Sequence, residues 1–350
     1  MEGENKMIKA GIIGATGYAG VELVRLLSTH PEVILVALSS VSYEGKELSE
    51  IYPNLKGICD QVLKNDKEVI EKSDVIFASL PHGLSEEYAK LCDEKNKKFI
   101  DLGADFRLYQ EEDYQEWYGL NYNEKQLHEK SIYALPELYR DEIVKHNIIG
   151  NPGCYPTSIA LGLYPLLKYK LVDVTRIIID SKSGVSGSGR KMTQNTHYPD
   201  LNETFSAYKI AEHRHTPEIE QTLSDIAKEK AYVTFVPHLL PINRGILSTI
   251  YLDLKKDVTL EEIYQYYIKE YENEPFVRVR ELGEVANIKN IRFSNFCDIS
   301  LHFDKRTNRV IVVSTIDNMI KGAAGQAIQN MNLLFGLKET TGLQLVPPAF

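Results

Sequence analysis

Along the first 150 residues, short apolar runs alternate with segments in which apolar residues recur at helical spacing. The runs suited to buried strands lie at 7–13, 33–40, 75–80, 99–103 and 147–150. Helical spacing is clearest at 18–29. Parallel strands that are covered by helices on both faces have this near-continuous apolar character. The pattern predicts an α/β fold with a doubly wound parallel sheet.

The pattern changes after about residue 170. Longer strand-like segments are predicted at 176–180, 232–236, 246–254, 296–303 and 309–316, with helices near 217–230 and 259–272. Fewer helices and hairpin-like strands favour a second α+β domain with a mixed sheet. A last helix near 319–335 is rich in small residues and is expected to return to the first domain. We therefore predict domains at 1–153 and 154–317, with residues 318–350 returning to the first.

Composition narrows the class of protein. A chain of 350 residues exceeds what one compact core usually holds. Its net charge of −9 argues against nucleic-acid or anionic-membrane partners. The four cysteines are scattered without a CxxC pair, which predicts free thiols and gives no indication of a metal site. The N-terminus does not resemble a signal peptide, so a cytoplasmic location is expected.

A glycine-rich turn follows the first predicted strand and opens the first predicted helix. It reads GATGYAG and contains Gly14, Thr16, Gly17, Tyr18, Ala19 and Gly20. Such a turn lets a pyrophosphate approach the helix N–H groups, so we predict a Rossmann-like dinucleotide site. The second strand ends without the carboxylate that grips an NAD ribose. Ser39, Ser40 and Lys46 are there instead and favour NADP(H), unless the serines only end the strand and the lysine is solvated.

Cys154 stands in GNPGCYPT at 150–157, between a glycine and a Tyr-Pro pair. Pro156 suits the first turn of a helix, so Cys154 is expected near the positive end of that helix, where a thiolate is favoured. A nucleophilic thiol that accompanies a dinucleotide site suggests attack on an activated acyl group, followed by hydride reduction of the thioester. The remaining cysteines fit the role of small core residues.

The motifs together resemble those of the N-acetyl-γ-glutamyl-phosphate reductases, in the aspartate-semialdehyde dehydrogenase group. The matching stretches are GATGYAG, LPHG, DLGADFRL, ALPEL, GNPGCYPT, SKSGVSGSGR, HRHTPE, VPHLLPINRG and KGAAGQA. They cover nearly the whole chain in the order of the family. The resemblance implies NADPH-dependent reduction of N-acetyl-L-glutamyl 5-phosphate to the 5-semialdehyde, in arginine biosynthesis, by a homodimer or homotetramer.

A proton donor and acceptor is expected in HRHTPE, because histidine titrates in the required range. His215 is the first choice, which the resemblance also supports, and His213 the second. Thr216 is expected to cap a helix that starts at Pro217, with Glu218 orienting one imidazole. If the approach to the helix is extended, both rings lie on one side and Arg214 on the other. Without the resemblance, a structural role for both histidines is equally acceptable.

Cationic and loop residues are candidates for binding the anionic substrate and the cofactor. Arginines suit phosphate and carboxylate groups, and the GVSGSG loop suits an anion through its backbone N–H groups. Each cation has a competing role as a surface charge or an ion-pair partner. The predicted substrate residues are Arg107, Asn151, Lys182, Ser183, Gly184, Arg190 and Arg244. The further predicted cofactor residues are Pro81, His82, Gly83, Ser186, Gly187 and Asn318.

Two other functions remain open from the sequence. The first is the same chemistry on N-acetyl-aminoadipyl phosphate of lysine biosynthesis, since one methylene changes binding by only about 1–3 kcal/mol. The second is a non-enzymatic NADP-sensing protein, in which Cys154 would be an ordinary buried thiol.

Overall fold

The computed structural model describes residues 7–350, which form two compact units. The first unit contains the residues up to Gln115, together with Gly119–Pro152 and Ala323–Gln344. The second contains Gly153–Gly322, the short stretch Glu116–Tyr118 and the last residues, Leu345–Phe350. The chain thus passes from the first unit to the second immediately before Cys154. The last six residues group with the second unit, whereas the sequence placed them in the first.

The first unit is built on a parallel sheet. Its elements before the crossing are β1 (Ile8–Ile13), α1 (Tyr18–Leu27), β2 (Val33–Leu38), α2 (Leu48–Ile51), α3 (Asp66–Lys72), β3 (Val75–Ala78), α4 (Ser85–Glu94), β4 (Lys98–Asp101), α5 (Glu111–Tyr118), α6 (Lys125–Lys130), β5 (Ser131–Tyr133), α7 (Pro136–Ile143) and β6 (Ile148–Gly150). Within residues 7–350, six strands pair in the order β2-β1-β3-β4-β6-β5, and every pair is parallel.

This sheet confirms the predicted fold class. Strands β3 and β4 are almost wholly buried, as their continuous apolar runs required. The sequence missed β5, which has three residues and is too short to show a periodicity. Cys92 is buried in the core of this unit beside Phe99, as expected of a structural thiol.

The second unit contains a mixed sheet. Its elements are α8 (Cys154–Lys168), β7 (Ile177–Gly184), α9 (Tyr198–Leu201), β8 (Ser206–Ala207), α10 (Thr216–Ala227), β9 (Val233–Leu240), β10 (Ile246–Asp253), α11 (Leu260–Tyr271), β11 (Val277–Val279), β12 (Cys297–Asp304) and β13 (Arg309–Ile316). Among the described residues the strand order is β11-β12-β13-β10-β7-β9-β8. The β7–β9 and β11–β12 pairs are parallel and the others antiparallel.

Helix α8 packs on one face of this sheet. Its Ser158 hydroxyl lies 3.0 Å from that of Ser248 on β10 and 3.3 Å from that of Ser314 on β13. On the opposite face, Ile178 of β7 is 42% exposed. Strand β7 runs four residues past the predicted 176–180, because Ser181 and Ser183 face α8 and pair into the sheet despite their polarity.

A π-helical turn, Ile320–Ala324, leads into the final helix α12 (Gly325–Leu334). Helix α12 is fully buried on most sides in the first unit, where Asn330 donates to the Ala134 carbonyl and to the Asn151 side chain. Small and amide residues allow that close packing. Across residues 7–350, none of the helices combines the length and the apolar character needed to cross a bilayer.

Candidate active site

The glycine-rich turn between β1 and α1 has the shape that the sequence predicted. Gly14 has φ +82°, and a Cβ there would lie 2.3 Å from the Ser79 carbonyl oxygen. A Cβ on Gly20 would lie 2.2 Å from the Gly14 carbonyl oxygen. Both positions therefore need glycine, which lets α1 begin directly at the carboxyl end of β1. This cradle fits a dinucleotide pyrophosphate at the N-terminus of α1.

The end of β2 differs from the expectation in one respect. Ser39 is fully buried, and its hydroxyl donates a hydrogen bond to Asp66 at the start of α3. It has no surface from which to reach a ligand in this conformation. The Ser40 and Thr16 hydroxyls lie 2.7 Å apart, and Lys46 is exposed in the following loop. Ser40 and Lys46 thus stay predictions for a 2′-phosphate, whereas Ser39 serves to hold the strand end.

A buried carboxylate holds the loop that contains Pro81, His82 and Gly83. Asp105 accepts hydrogen bonds from the Gly83 N–H at 2.7 Å, the Ser85 N–H at 2.8 Å and the Tyr114 hydroxyl at 2.8 Å. The loop lies at the carboxyl end of β3, where ligands bind in such sheets. No pattern around Asp105 indicated this, because Gly83 and Ser85 lie 22 and 20 residues earlier in the chain and Tyr114 lies nine residues later.

Asp101, at the end of β4, lies beneath the same loop and accepts from the Ser85 hydroxyl at 2.7 Å. Burial, and then the charge of Asp105, raise the pKa of Asp101. Arg107 is also largely buried; its Nε donates to the Asn151 carbonyl at 2.8 Å and its Nη2 to the Leu102 carbonyl at 2.9 Å. Part of the Arg107 donor fork therefore fixes the backbone, and substrate binding by Arg107 and Asn151 stays a prediction.

Cys154 is the first residue of α8 and is half-buried, whereas the other three cysteines are buried. Burial raises the pKa of Cys92 to about 12 and also raises that of Cys59, so these thiols are unreactive. Gly153 caps α8 with φ −68°, which any residue adopts, so glycine is not needed there for its dihedral angle. The predicted helix start at Cys154 is confirmed, and it places the thiol where backbone N–H groups point outward.

Two contacts fix the position of the Cys154 backbone. The Gly153 N–H donates to Glu218 Oε1 at 2.7 Å, and Glu218 is fully buried in the first turn of α10. This bond shows that Glu218 anchors the residue before the cysteine, and its predicted role in orienting an imidazole stays a prediction. On the other side, a Cβ on Gly322 would lie 2.7 Å from Cys154 Cβ. Only glycine fits at that approach without movement of the cysteine or the turn.

The two histidines of HRHTPE come together, although the segment is a turn rather than extended. Their ring centroids lie 4.9 Å apart. The Thr216 N–H donates to the His213 carbonyl, and α10 begins at Thr216, so His215 is the cap and Pro217 the second helical residue. The guanidinium of Arg214 lies over the Tyr118 ring, 5.4 Å from its centroid.

Aromatic residues connect these histidines to the cysteine helix. Tyr155, next to Cys154, has its ring 5.5 Å from that of His213 and 5.9 Å from that of His215. Its hydroxyl lies 3.1 Å from that of Tyr208. Burial, and then the charge of a Cys154 thiolate, raise the pKa of Tyr208 to about 12. Sequence reasoning missed Tyr208, because a lone tyrosine in a polar stretch gives no indication of its neighbours.

The first half of the GVSGSG loop cannot serve as the predicted anion nest in this conformation, because its N–H groups already have partners. The N–H groups of Gly184, Val185 and Ser186 donate to carbonyls of residues 242–245 at 2.8–3.2 Å. Asn318 links the same two loops: its Oδ1 accepts from the Gly245 N–H at 2.8 Å and its Nδ2 donates to the Ser186 hydroxyl at 3.0 Å. Asn318 was expected to bind nicotinamide, and here it joins the loops. Ser183 is buried and Gly187 exposed beside them.

The predicted cations of this unit have different surroundings. Lys182 alternates with Ser181 and Ser183, so it lies on the sheet face away from α8, where its Nζ is 3.1 Å from Asp180. This placement does not support its assignment to a substrate beside Cys154. Arg244 packs over the Phe293 ring with Nη1 3.4 Å from buried Asp317. Arg190 is half-buried just beyond the loop and stays a prediction.

Two domain families of known proteins match the two parts of this chain. The NAD-binding domain family of semialdehyde dehydrogenases matches residues 9–146, and their dimerisation domain family matches 154–318. Two crystal structures are similar over 94% of this chain at 17% identity: aspartate semialdehyde dehydrogenase II from Vibrio cholerae, covered to 98% with a TM-score of 0.73, and the Candida albicans enzyme with NADP, covered to 98% with a TM-score of 0.70. At this identity they show the fold.

Similarity in sequence reaches further. A protein of Clostridium botulinum and one of Brachyspira hyodysenteriae, both named N-acetyl-gamma-glutamyl-phosphate reductase, are each 58% identical over 98% of this chain and 100% of their own length. One from Symbiobacterium thermophilum is 51% identical over 98% of this chain and 99% of its own. The resemblance inferred from the motifs is thereby confirmed, and the chain belongs to the N-acetyl-gamma-glutamyl-phosphate reductase family of semialdehyde dehydrogenases.

Proposed function

We propose that this protein reduces N-acetyl-L-glutamyl 5-phosphate to N-acetyl-L-glutamate 5-semialdehyde and phosphate through a Cys154 thioester, in L-arginine biosynthesis. The names of its full-length relatives support the substrate. The half-buried Cys154 at the start of α8, with imidazoles linked to it through Tyr155, carries the thioester route.

In the first half of the reaction Cys154 becomes acylated. His215 accepts the thiol proton, and Cys154 Sγ forms a bond to the substrate carbonyl carbon. N–H groups at the start of α8 suit the oxyanion that develops there. The bond between that carbon and the phosphate oxygen then breaks, and His215 returns the proton to the departing phosphate. The product of this half is a neutral thioester on Cys154.

When bound, the reduced nicotinamide supplies the hydride that converts the thioester carbonyl into a thiohemiacetal oxyanion. This oxyanion collapses with cleavage of the carbon–sulfur bond, which releases the aldehyde and a Cys154 thiolate. One proton from solvent, passed through His215, restores the thiol. The balance is one acyl phosphate, one NADPH and one proton consumed for one aldehyde, one phosphate and one NADP⁺.

We assign NADPH as the cofactor. The glycine cradle at Gly14 and Gly20 suits the pyrophosphate, and no carboxylate follows β2 directly in the sequence. A related structure is described with NADP. Measured dissociation constants for NADPH and NADH test this assignment, with Lys46→Ala expected to weaken NADPH and leave NADH unchanged. Equal binding of the two cofactors by the wild-type protein would contradict it.

We also propose a homo-oligomer, a dimer or a tetramer, located in the cytoplasm. The match of residues 154–318 to a dimerisation domain supports association through the second unit. The mass of the purified protein in solution, by light scattering, tests this; a monomer at micromolar concentration would contradict it.

The decisive experiment follows NADPH formation from the semialdehyde in phosphate buffer, for wild type and Cys154→Ala. Phosphate-dependent activity that is lost in the variant supports both the thioester and the acyl-phosphate product. Activity that survives in Cys154→Ala excludes Cys154 as the nucleophile. A wild-type protein that prefers the aminoadipate semialdehyde, one methylene longer, would move the assignment to that substrate. A protein that binds NADPH but acts on neither would be a sensor rather than an enzyme.

A further inference from the structure

His213 makes a hydrogen bond to the backbone of His215. Its Nδ1 accepts the backbone N–H of His215 at 3.1 Å. A nitrogen that accepts this bond carries no proton, so the ring is a neutral imidazole with its proton on Nε2. The bond joins a side chain to the backbone of the residue predicted to handle protons. Its loss would free the His215 backbone at the start of α10.

The ring of His213 is enclosed by aromatic edges. Three rings make edge-to-face contact with the imidazole, and their centroids lie 5.5 Å (Tyr155), 5.6 Å (Tyr208) and 5.3 Å (Phe235) from its own. The rings of Tyr155 and Phe235 also lie 5.2 Å apart. Tyr155 follows Cys154 directly, so one imidazole contacts the segment of the nucleophile and the segment of the base. A ring packed on this many sides has one orientation, which is what a positioning group requires.

The charges around His213 oppose a second proton on the ring. Burial comes first, and the neighbouring Lys209 and Arg214 add to it; together they lower the pKa of His213 to about 3. The other titratable groups that face it are the His215 imidazole, whose ring centroid lies 4.9 Å away, and the phenols of Tyr155 and Tyr208. The phenols are neutral at physiological pH because burial raises their pKa values. No carboxylate among the described residues makes an ion pair with His213, so nothing there favours an imidazolium.

We infer that His213 is a positioning residue: through its Nδ1 bond to the His215 N–H and its packing on Tyr155, it holds the base relative to the cysteine helix without exchanging protons. The inference rests on the proposed function of His215. It also answers the choice between the two histidines that the sequence left open, since a ring whose Nδ1 already accepts a backbone N–H cannot act as a base at that atom.

Three substitutions separate this role from the alternatives. His213→Asn places Oδ1 where Nδ1 stands and keeps an acceptor for the His215 N–H. His213→Gln places its amide near the position of Nε2 and loses that acceptor, at similar polarity. His213→Phe keeps the aromatic packing but offers no acceptor. His215→Asn serves as the reference for loss of the base.

For a positioning role, His213→Asn keeps kcat within about fivefold of wild type, while the Gln and Phe variants lose about 10–100-fold, the cost of a base misplaced by up to 1 Å. All three keep the acid limb of the pH–rate profile, which His215→Asn abolishes. If His213 were the acid–base group, its three variants would all lose that limb. If it only filled space, His213→Phe would equal or exceed His213→Asn. Either result would overturn the inference.

A measurement that does not depend on activity completes the test, and it remains informative if His213→Phe fails to fold. Long-range ¹H–¹⁵N spectra of the wild-type protein should show His213 as the Nε2–H form, without titration, from about pH 5 to about pH 9. Titration of His213 in this interval would overturn the inference. Inactivity of the wild-type protein on both acyl phosphates would instead overturn the proposed function, whatever the form of His213.

Discussion

Replacement of Gly322 by alanine separates the effect of local helix propensity on stability from the effect of packing against Cys154. Gly322 lies in the π-helical turn that precedes α12. An added Cβ would lie 2.7 Å from Cys154 Cβ, 3.2 Å from Cys154 Cα and 3.3 Å from Ile316 Cδ1. Two of these atoms are rooted in the backbone of α8, so they cannot swing away as the end of a long side chain would.

Two effects of opposite sign decide the stability of Gly322→Ala. Exchange of glycine for alanine inside a helix stabilises by up to about 1 kcal/mol. Overpacking of a filled site costs about 1–3 kcal/mol. We expect the second effect to win, with a net loss of about 0–2 kcal/mol, because the contact is shorter than carbon atoms tolerate. Relief of the contact shifts Cys154, and a nucleophile misplaced by about 1 Å loses about 100-fold in kcat.

A double-mutant cycle in urea denaturation measures this contact without reference to activity. Cys154→Gly removes the Cβ that is struck first, so in that background Gly322→Ala should be neutral or stabilising. The coupling free energy is then about 1–3 kcal/mol. A Gly322→Ala protein that is more stable than wild type and fully active would refute the reasoning, as would a coupling free energy near zero.

Three further predictions concern buried groups. Glu218→Ala leaves the buried Gly153 N–H without its acceptor and should cost about 1–3 kcal/mol in urea denaturation, while Glu218→Gln, which keeps an oxygen there, should cost less; equal losses would contradict this. Burial and Asp105 raise the pKa of Asp101, so the folded chain holds a proton that the unfolded chain releases, and stability falls as pH rises from the unfolded to the folded pKa. Asp101→Asn should therefore gain stability relative to wild type as the pH rises from about 4 to about 7, and a difference independent of pH would argue against the raised pKa. Iodoacetamide at neutral pH should modify Cys154 before the three buried cysteines, as peptide mass spectrometry would show; equal rates would be inconsistent with their burial.

Local chemistry accounts for the parts of the site that could be predicted from the sequence. Gly14 and Gly20 had to be glycine because the turn brings backbone oxygens against their Cα atoms, and the spacing of the motif expresses that requirement. Cys154 could be placed near a helix start because Pro156, two residues later, suits the first turn of a helix. In both cases, the residues that determine the local structure lie within a few positions of the residue that was predicted.

Other assignments failed for one physical reason: a polar group binds whichever partner the fold brings to it. The N–H groups of the GVSGSG loop, residues 184–189, were expected to receive an anion, but the fold brings the carbonyls of residues 242–245 to those of 184–186. Ser39 turned inward to Asp66, and Lys182 took the sheet face away from α8 once β7 extended through it. Successive side chains of a strand point to opposite faces of the sheet, so the face of a residue near a strand end depends on where the strand stops. Apolar periodicity does not locate a strand end to within one residue.

The sequence alone thus determined most of the strands in the two sheets and the position of the glycine-rich turn, and it predicted Cys154 at a helix start, since each depends on a pattern of residues that are close in the chain. The tertiary structure alone decided what surrounds Cys154, His213 and His215. Glu218 accepts a hydrogen bond from Gly153, which is 65 residues earlier in the chain, and Gly322 lies against Cys154, which is 168 residues earlier. The order of His213 and His215 in the chain does not reveal which ring is enclosed. Such contacts between distant residues are set by the packing of whole elements, which no local pattern records.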